Sequence, residues 1–260
     1  MNKKIPISLE ERKSIQLEML KEIDAFCRAN NIKYSLAFGT LLGAIRHKGF
    51  IPWDDDVDIM MPLPDMLRFK ELFYSKSMKY CDVDTEKSFE YGFSRIAYVN
   101  TYNKRGLIAK TYGICIDLYP LVAVPSDSKE NILFFKHATK LNKRRFFYMK
   151  WNSRIVKLLP LRSIPCLRGS IEKYRDFMLN IDAYGKTGRY YIVAGPLELR
   201  DKMSYDFDLF KEMTEVEFEG FKFCAIARYD DFLAMRYGDY MQLPPESERH
   251  PYHGGYYYWK

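Results

Sequence analysis

The chain has 260 residues, of which 47% are hydrophobic and 16% aromatic, and its formal net charge is +7. This content excludes an intrinsically disordered chain, and we predict a single domain spanning residues 1–260. No apolar run approaches the roughly 20 residues of a membrane-spanning helix, and the amino terminus lacks the apolar core of a secretory signal, so we expect a cytoplasmic protein. Five scattered cysteines without a CxxC pair argue against a disulfide framework and against a zinc site.

The first predicted elements are a helix, a strand and a second helix. Ser8-Leu9-Glu10-Glu11 matches a capping box, and apolar residues then recur at helical spacing as far as Asn30-Asn31. From Ile32 to Phe38 the apolar residues alternate, as they do in a strand. We expect this strand to end at a Gly39-Thr40 turn, with a short helix following from Leu41 to His47.

An acidic run follows, with four aspartates among the five positions from Asp54 to Asp58. In an extended chain Asp56 and Asp58 project from the same face, where their mutual repulsion must be relieved by a proton or a divalent cation. The apolar residues after them predict a strand from Val57 to Met61, with the two carboxylates at its entrance. An oxygen-liganded ion such as magnesium is commonly held in this way when substrate phosphates complete its coordination.

A helix from Pro64 to Phe73 and several strands between Cys81 and Leu121 are predicted next, with a turn at residues 103–106. The strand at residues 113–118 is apolar except for Asp117. A buried acid is costly unless it is paired or binds a metal. Asp117 is therefore either a strand-end residue or, beside the dicarboxylate, a third metal ligand.

Residues 131–171 contain ten lysines and arginines, interleaved with aromatic residues and leucines, and no acidic residue. This composition fits a helix that lies in a lipid headgroup layer, and it equally fits a solvated basic helix whose aromatic side packs on the core. The first interpretation predicts peripheral contact with anionic lipid at the inner face of the plasma membrane. Motifs that read or stack on bases are absent, so we predict no nucleic-acid partner.

Near the carboxy terminus the sequence predicts a hairpin from Val216 to Phe221 and a helix from Arg228 to Tyr237 that ends at Gly238.

Three blocks of the sequence together resemble the LicD family of bacterial phosphorylcholine transferases, to which the fukutin-type proteins are related. The first is GTLLGAIRHKGFIPWDDDVDI, which begins at Gly39, and the second is GICIDLYP, which contains Asp117. The third is YGDYMQLPPE, which begins at Tyr237. In the family this block leads to a histidine pair, and here the corresponding segment reads His250-Pro-Tyr-His253, with a different spacing.

The resemblance implies an α+β, nucleotidyltransferase-like fold: a small mixed β-sheet flanked by helices, with the basic segment 131–171 as a helical insertion. It also implies a metal-dependent reaction that uses Mg²⁺ or Mn²⁺. Phosphorylcholine would pass from CDP-choline to a sugar hydroxyl of a cell-surface glycan, such as a teichoic acid, lipopolysaccharide or capsule precursor, and CMP would be released. The acceptor would be a glycan or a lipid-linked oligosaccharide.

The resemblance assigns Asp56, Asp58 and Asp117 as catalytic residues and metal ligands, and it places Gly39 and Thr40 in a nucleotide-phosphate turn. Asp54 and Asp55 are expected to shape the loop. The substrate-binding candidates are the nearest cations, the loop tryptophan, which either packs or stacks on the base, and one arginine from another strand: Arg46, His47, Lys48, Trp53 and Arg95. For Arg46 and His47 the alternative is a cation that stabilises a helix C-terminus.

Three alternatives to the phosphorylcholine transferase remain open. The donor could be CDP-ribitol or CDP-glycerol, the reaction could be a nucleotidyl transfer that releases pyrophosphate, or the chain could be a non-enzymatic assembly factor at a membrane surface. Choline would also require an aromatic pocket for its quaternary ammonium group. The candidates for that pocket are Tyr237, Tyr240, Tyr252 and residues 256–259.

Overall fold

The computed structural model describes residues 5–82, 93–105, 109–124, 211–250 and 256–260, the short segments 189–192 and 204–206, and a few isolated positions. Contacts divide the chain into two compact units. The first comprises Met1–Tyr80, Arg95–Pro120 and Asp208–Lys260, and the second comprises Cys81–Ser94 and Leu121–Phe207. The candidate site lies in the first unit. One domain over residues 1–260 stays a prediction, and the basic segment 131–171 lies outside the continuously described ranges.

The chain is a mixed α and β protein. Its elements are, in order, α1 Leu9–Ala29, β1 Ser35–Leu36, α2 Phe38–His47, β2 Asp58–Pro62, α3 Leu63–Leu72, β3 Met78–Cys81, β4 Ser94–Tyr98, β5 Thr101–Arg105, β6 Ala109–Tyr112, β7 Cys115–Val124, β8 Arg189–Ile192, β9 Ser204–Asp206, β10 Met213–Phe218, β11 Phe221–Ile226, α4 Tyr229–Tyr237 and β12 Tyr256–Trp259. Within the described residues, no helix combines the length and the apolar character that crossing a bilayer requires.

Helix α1 begins where the capping box predicts. The Ser8 hydroxyl oxygen accepts a hydrogen bond from the Glu11 backbone N–H at 3.1 Å, which satisfies one of the N–H groups that a helix start leaves unpaired. The apolar face of α1 is buried and includes Met19, Leu20 and Ile23. This packing anchors α1 in the first unit and confirms the predicted helix.

The strands around the site follow the order β1-β2-β7-β4-β3. Strand β1 is antiparallel to β2, with Leu36 opposite Ile59, and it is shorter than the predicted strand 32–38. Strand β7 continues past the predicted end at residue 118, and in the second unit its residues 121–124 pair with β8, which pairs with β9. Neighbouring β2 and β7 therefore carry the first and second family-like blocks side by side.

Two smaller sheets complete the described strands. β10 and β11 form the predicted hairpin, whose turn residues Glu219 and Gly220 have φ of 52° and 77°. β12 pairs with β5, and β5 pairs with β6. The predicted turn at 103–106 is wrong for residues 103–105, which form the end of β5. Asn103 and Lys104 pair with both β6 and the aromatic strand β12, and Arg105 pairs with β6.

Candidate active site

The start of α2 differs from the sequence prediction. Ala37 is extended, Phe38 has a φ of 45°, and the Leu41 N–H already donates to the Ala37 carbonyl at 3.1 Å. Helix α2 therefore begins at Phe38, so Gly39 and Thr40 lie in its first turn instead of in a loop before Leu41. The Phe38 ring packs edge-on against Tyr119, with ring centroids 5.0 Å apart, and this contact accompanies the unusual backbone of Phe38.

Thr40 fastens α2 to the start of β2. Its hydroxyl oxygen accepts a hydrogen bond from the Asp58 backbone N–H at 2.8 Å, and both residues are buried. On the same strand, the Asp58 carbonyl accepts from the Ala37 N–H at 3.0 Å. These two bonds hold the helix start against the first residue of the acidic strand.

The acidic run alternates between two environments. The Asp55 carboxylate forms a buried ion pair with Arg12 at 2.6 Å, and the side chain of Val57 is fully buried in the core. Asp54 and Asp56, in contrast, share a side-chain hydrogen bond and interact electrostatically with Asp58. This is the pattern of an extended chain, in which residues two apart face the same side.

Asp54 reaches the helix start through the space that Gly39 leaves. A methyl group in place of the Gly39 hydrogen would lie 2.5 Å from Asp54 Oδ2, so the glycine makes room for this carboxylate. Within the described residues, Asp54, Asp55 and Asp56 are the carboxylates whose oxygens approach within 4.8 Å of one another, while Asp58 and Asp117 lie outside that trio.

Burial and charge together favour the protonated forms of two of these acids. Burial, followed by the charges of Asp56, Asp117 and Asp54, raises the pKa of Asp58 well above its usual value, and a hydrogen bond from Tyr119 partly opposes that rise. Asp58 Oδ1 is buried and has no hydrogen-bond partner among the described residues. Burial and the neighbouring Asp56 charge raise the pKa of Asp54 to about 7. The site therefore disfavours the ionisation of all these acids at once.

Asp117 lies next to this cluster on β7. Its N–H donates to the Val57 carbonyl at 2.9 Å, which fixes it beside the acidic strand. Its carboxylate binds Arg95 with both oxygens, with Nε–Oδ1 at 2.8 Å and Nη2–Oδ2 at 3.0 Å. Arg95 is therefore the ion-pair partner of Asp117. Its contact with a donor phosphate stays a prediction.

The cations at the other end of α2 have structural contacts. Arg46 Nη1 donates to the backbone carbonyls of Tyr240 at 2.7 Å and Gln242 at 3.3 Å, and burial lowers the pKa of Arg46. Lys48 is the exposed C-cap residue in a left-handed conformation, with a φ of 60°. Burial and the Arg46 charge lower the pKa of His47, so this imidazole is biased toward its neutral form.

Trp53 packs between polar neighbours. Its ring lies edge-on to His47 with centroids 6.3 Å apart, and the Arg249 guanidinium lies 5.6 Å from its centroid. Packing against side chains thus accounts for Trp53, and its stacking on a base stays a prediction. His250 is exposed, and His253 lies outside the described residues.

Most of the tyrosines suggested for a choline pocket have other contacts. Tyr257 lies under the Arg12 guanidinium at 4.6 Å, and Tyr258 stacks on Tyr102 at 5.5 Å. The Tyr240 hydroxyl donates to Asp230. Tyr252 lies outside the described residues. Tyr237 has an electrostatic link to the acidic cluster, because the charges of Asp58 and Asp54 contribute to its raised pKa.

Sequence reasoning missed several residues of the site. Tyr119 lies two positions after Asp117 on the same strand, so the strand period alone would have placed both side chains on one face. Asp54 is related to Asp56 by the same spacing. The pairing of Arg12 with Asp55 gives no sequence signal, because the two residues are distant in the chain and meet only in the fold.

The chain is similar to one described protein family and to several bacterial proteins. Residues 31–168 match the family described as LicD/FKTN/FKRP, nucleotidyltransferase domain. The lipopolysaccharide cholinephosphotransferase LicD of Haemophilus influenzae is 26% identical over 264 residues, which cover 95% of this chain and 96% of that protein. Uncharacterized proteins of Rickettsia typhi and Rickettsia prowazekii are each 28% identical over 70% and 72% of this chain, and over 48% and 61% of their own lengths.

Proposed function

Because the chain belongs to the LicD/FKTN/FKRP nucleotidyltransferase-domain family, we propose that it transfers phosphorylcholine from CDP-choline to a sugar hydroxyl of a cell-surface glycan and releases CMP. The chain is an enzyme of the phosphotransferase class. The name of the Haemophilus relative, which aligns over nearly its whole length, favours lipopolysaccharide over teichoic acid or capsule as the acceptor. The observation that carries the proposal is the row of carboxylates on one face of the acidic run, next to Asp117.

The carboxylates suit a hard divalent cation, Mg²⁺ or Mn²⁺. Oxygens that share an octahedral ion lie at most about 4.2 Å apart, twice the usual Mg–O distance, and Asp56 offers an oxygen within 4.8 Å of oxygens of Asp54 and Asp55. The buried Asp58 Oδ1, without a partner among the described residues, provides a further oxygen. Asp56 and Asp58 would hold the ion. Asp117 could add a ligand while bound to Arg95, because each carboxylate oxygen has two lone pairs.

A bound divalent ion neutralises the charge on the donor's phosphate oxygens. The chain's own groups orient the reactants. Gly39 and Thr40 lie in the first turn of α2, whose N–H groups lack partners within the helix and favour phosphate oxygens. The acidic cluster and this turn thus flank the position in which we place the diphosphate.

The proposed reaction moves one phosphoryl group and one proton. The acceptor hydroxyl oxygen attacks the choline-bearing phosphorus, the bond from that phosphorus to the bridging oxygen breaks, and CMP leaves with that oxygen. The hydroxyl proton passes to a carboxylate. Asp54 suits this role because it is partly exposed, whereas Asp58 is buried and Arg95 holds both oxygens of Asp117 in an ion pair.

We also propose a nucleotidyltransferase-like fold for the unit that contains the site, supported by the small sheet, by α2 directly after β1, and by the acids on adjacent β2 and β7. Peripheral contact with anionic lipid at the inner face of the plasma membrane, through residues 131–171, remains part of the proposal on compositional grounds.

The test is a donor panel. Purified protein with Mg²⁺ and a lipopolysaccharide acceptor is offered CDP-choline, CDP-ribitol or CDP-glycerol, and released CMP and pyrophosphate are quantified. We expect CMP release and phosphorylcholine incorporation from CDP-choline, and loss of both in Asp56→Ala and Asp58→Ala. The surface change Asp231→Ala serves as the matched control. CMP release only from an alditol donor, or release of pyrophosphate, would replace the proposed function with one of the alternatives.

A further inference from the structure

The last turn of α4 ends beside the start of α2. The Arg236 guanidinium lies 5.3 Å from the centroid of the Phe38 ring, a distance typical of a cation–π contact. Phe38 in turn packs edge-on against Tyr119, whose hydroxyl is hydrogen-bonded to Asp58. Arg236 is thus linked to the buried acid of the site through two aromatic rings.

Tyr237 joins the same arrangement. Its side chain hydrogen-bonds to Arg236, and its hydroxyl lies within electrostatic reach of Asp58 and Asp54. The residue as a whole is 41% exposed. Arg236 and Tyr237 together therefore bring a cation and a hydroxyl group to the side of the acidic cluster at which α2 begins.

The cations nearest in sequence are poorly placed for that side. Arg46 lies seven residues after Gly39, which at the rise of an α-helix is about 10 Å along α2. The Arg46 guanidinium binds the backbone carbonyls of Tyr240 and Gln242, only a few residues beyond α4. Arg46 therefore stabilises the segment that follows Arg236 and Tyr237. These hydrogen bonds compete with any contact between Arg46 and phosphate.

Resting on the proposed function, we propose that Arg236 contacts the phosphate oxygens of the donor, with Phe38 and Tyr237 fixing the direction of its guanidinium. A guanidinium presents a planar fork of N–H donors that matches two phosphate oxygens, and stacking on a ring restricts its motion. The carboxylates and their cation would hold one side of the diphosphate and Arg236 the other. Substrate contact thus extends to the residue just before the third family-like block.

The experiment measures binding of inorganic pyrophosphate at saturating Mg²⁺ by calorimetry, so it needs neither turnover nor a known acceptor. Arg236→Gln should weaken pyrophosphate binding by about 10- to 100-fold, the usual effect of losing a charged hydrogen bond. Its affinity for Mn²⁺ alone should stay within about twofold of wild type, because Arg236 is not a proposed metal ligand. Arg228→Gln, which removes one positive charge from the N-cap of the same helix, should leave both affinities unchanged.

Arg236→Lys separates charge from geometry and also serves if the glutamine variant does not fold. It keeps the charge but loses the fork, so its pyrophosphate affinity should also fall, by less than that of Arg236→Gln. Pyrophosphate affinities of the Arg236 variants within twofold of wild type would overturn the inference, as would a wild-type chain that binds no pyrophosphate with Mg²⁺. If pyrophosphate binding depends on Arg236 but CDP-choline yields no CMP, the proposed function fails and this inference stands.

Discussion

Replacing Asp54 or Asp55 by asparagine should change the stability of the metal-free protein in opposite directions. Asp54 is an acid whose pKa rises from 3.8 to about 7 on folding, mainly through burial and the nearby Asp56 charge. An acid with a raised pKa holds its proton more tightly in the folded state, so folding becomes less favourable as pH rises through that range. The cost is absent well below pH 3.8 and complete above about pH 7.

The magnitude follows from the free energy per pKa unit. At 1.36 kcal/mol per unit, ionised Asp54 destabilises the fold by about 4 kcal/mol at pH 8 and by about 2 kcal/mol at pH 5. Asp54→Asn removes the charge and keeps an oxygen that can accept from the Asp55 N–H. The metal-free variant should therefore be more stable than wild type by up to those amounts.

The substitution of the neighbouring residue, Asp55→Asn, provides the matched comparison for Asp54→Asn. Asp55→Asn leaves the buried Arg12 guanidinium without its charged partner, and breaking a buried ion pair costs about 3–5 kcal/mol. Urea unfolding in EDTA at pH 5 and pH 8 measures both variants. A metal-free Asp54→Asn that is no more stable than wild type at pH 8, or a gain that does not shrink at pH 5, would refute the electrostatic reasoning about the site.

Three further changes probe the contacts around these acids. Gly39→Ala puts a methyl group 2.5 Å from Asp54 Oδ2, so the carboxylate must move, and we expect a loss of about 100-fold in kcat/KM for CMP release from a folded protein. Wild-type turnover in this variant would argue against a role for Asp54. Thr40→Val leaves the buried Asp58 N–H without its acceptor and should cost about 1–3 kcal/mol in urea unfolding, while Thr40→Ser should cost less. Tyr119→Phe removes the hydrogen bond that lowers the pKa of Asp58, so protons should compete better with Mg²⁺. Its Mg²⁺ affinity should fall, the deficit should shrink as pH rises, and a deficit independent of pH would contradict this.

The parts of the fold that sequence predicts well are those with local causes. Ser8 caps α1 because its hydroxyl reaches an N–H three residues away, and Gly220 forms the hairpin turn because it tolerates a positive φ. Asp56 and Asp58 interact electrostatically, as their spacing of two residues predicts. Helix α3 and strand β2 also lie within one residue of their predicted bounds, since their apolar patterns are continuous.

The parts that sequence reasoning missed depend on contacts between distant segments. Gly39 looked like a phosphate-approach glycine, and the fold shows that it also admits the Asp54 carboxylate. Arg46 also binds carbonyls that lie more than 190 residues away in the chain, and its contact with phosphate stays a prediction. Arg95 reaches Asp117 from a neighbouring strand. Periodicity predicts the face on which a side chain lies, but it does not predict which distant residue contacts that side chain.

Equilibrium titration of the purified chain with Mn²⁺, with free ion followed by electron paramagnetic resonance, tests the proposed metal site most directly. The wild-type protein should bind Mn²⁺ saturably with a defined stoichiometry, and Mg²⁺ should displace it. The double variant Asp56→Ala, Asp58→Ala should lose that binding while Asp231→Ala keeps it. A wild-type chain that takes up no Mn²⁺, or a double variant that binds as tightly as wild type, would contradict the account.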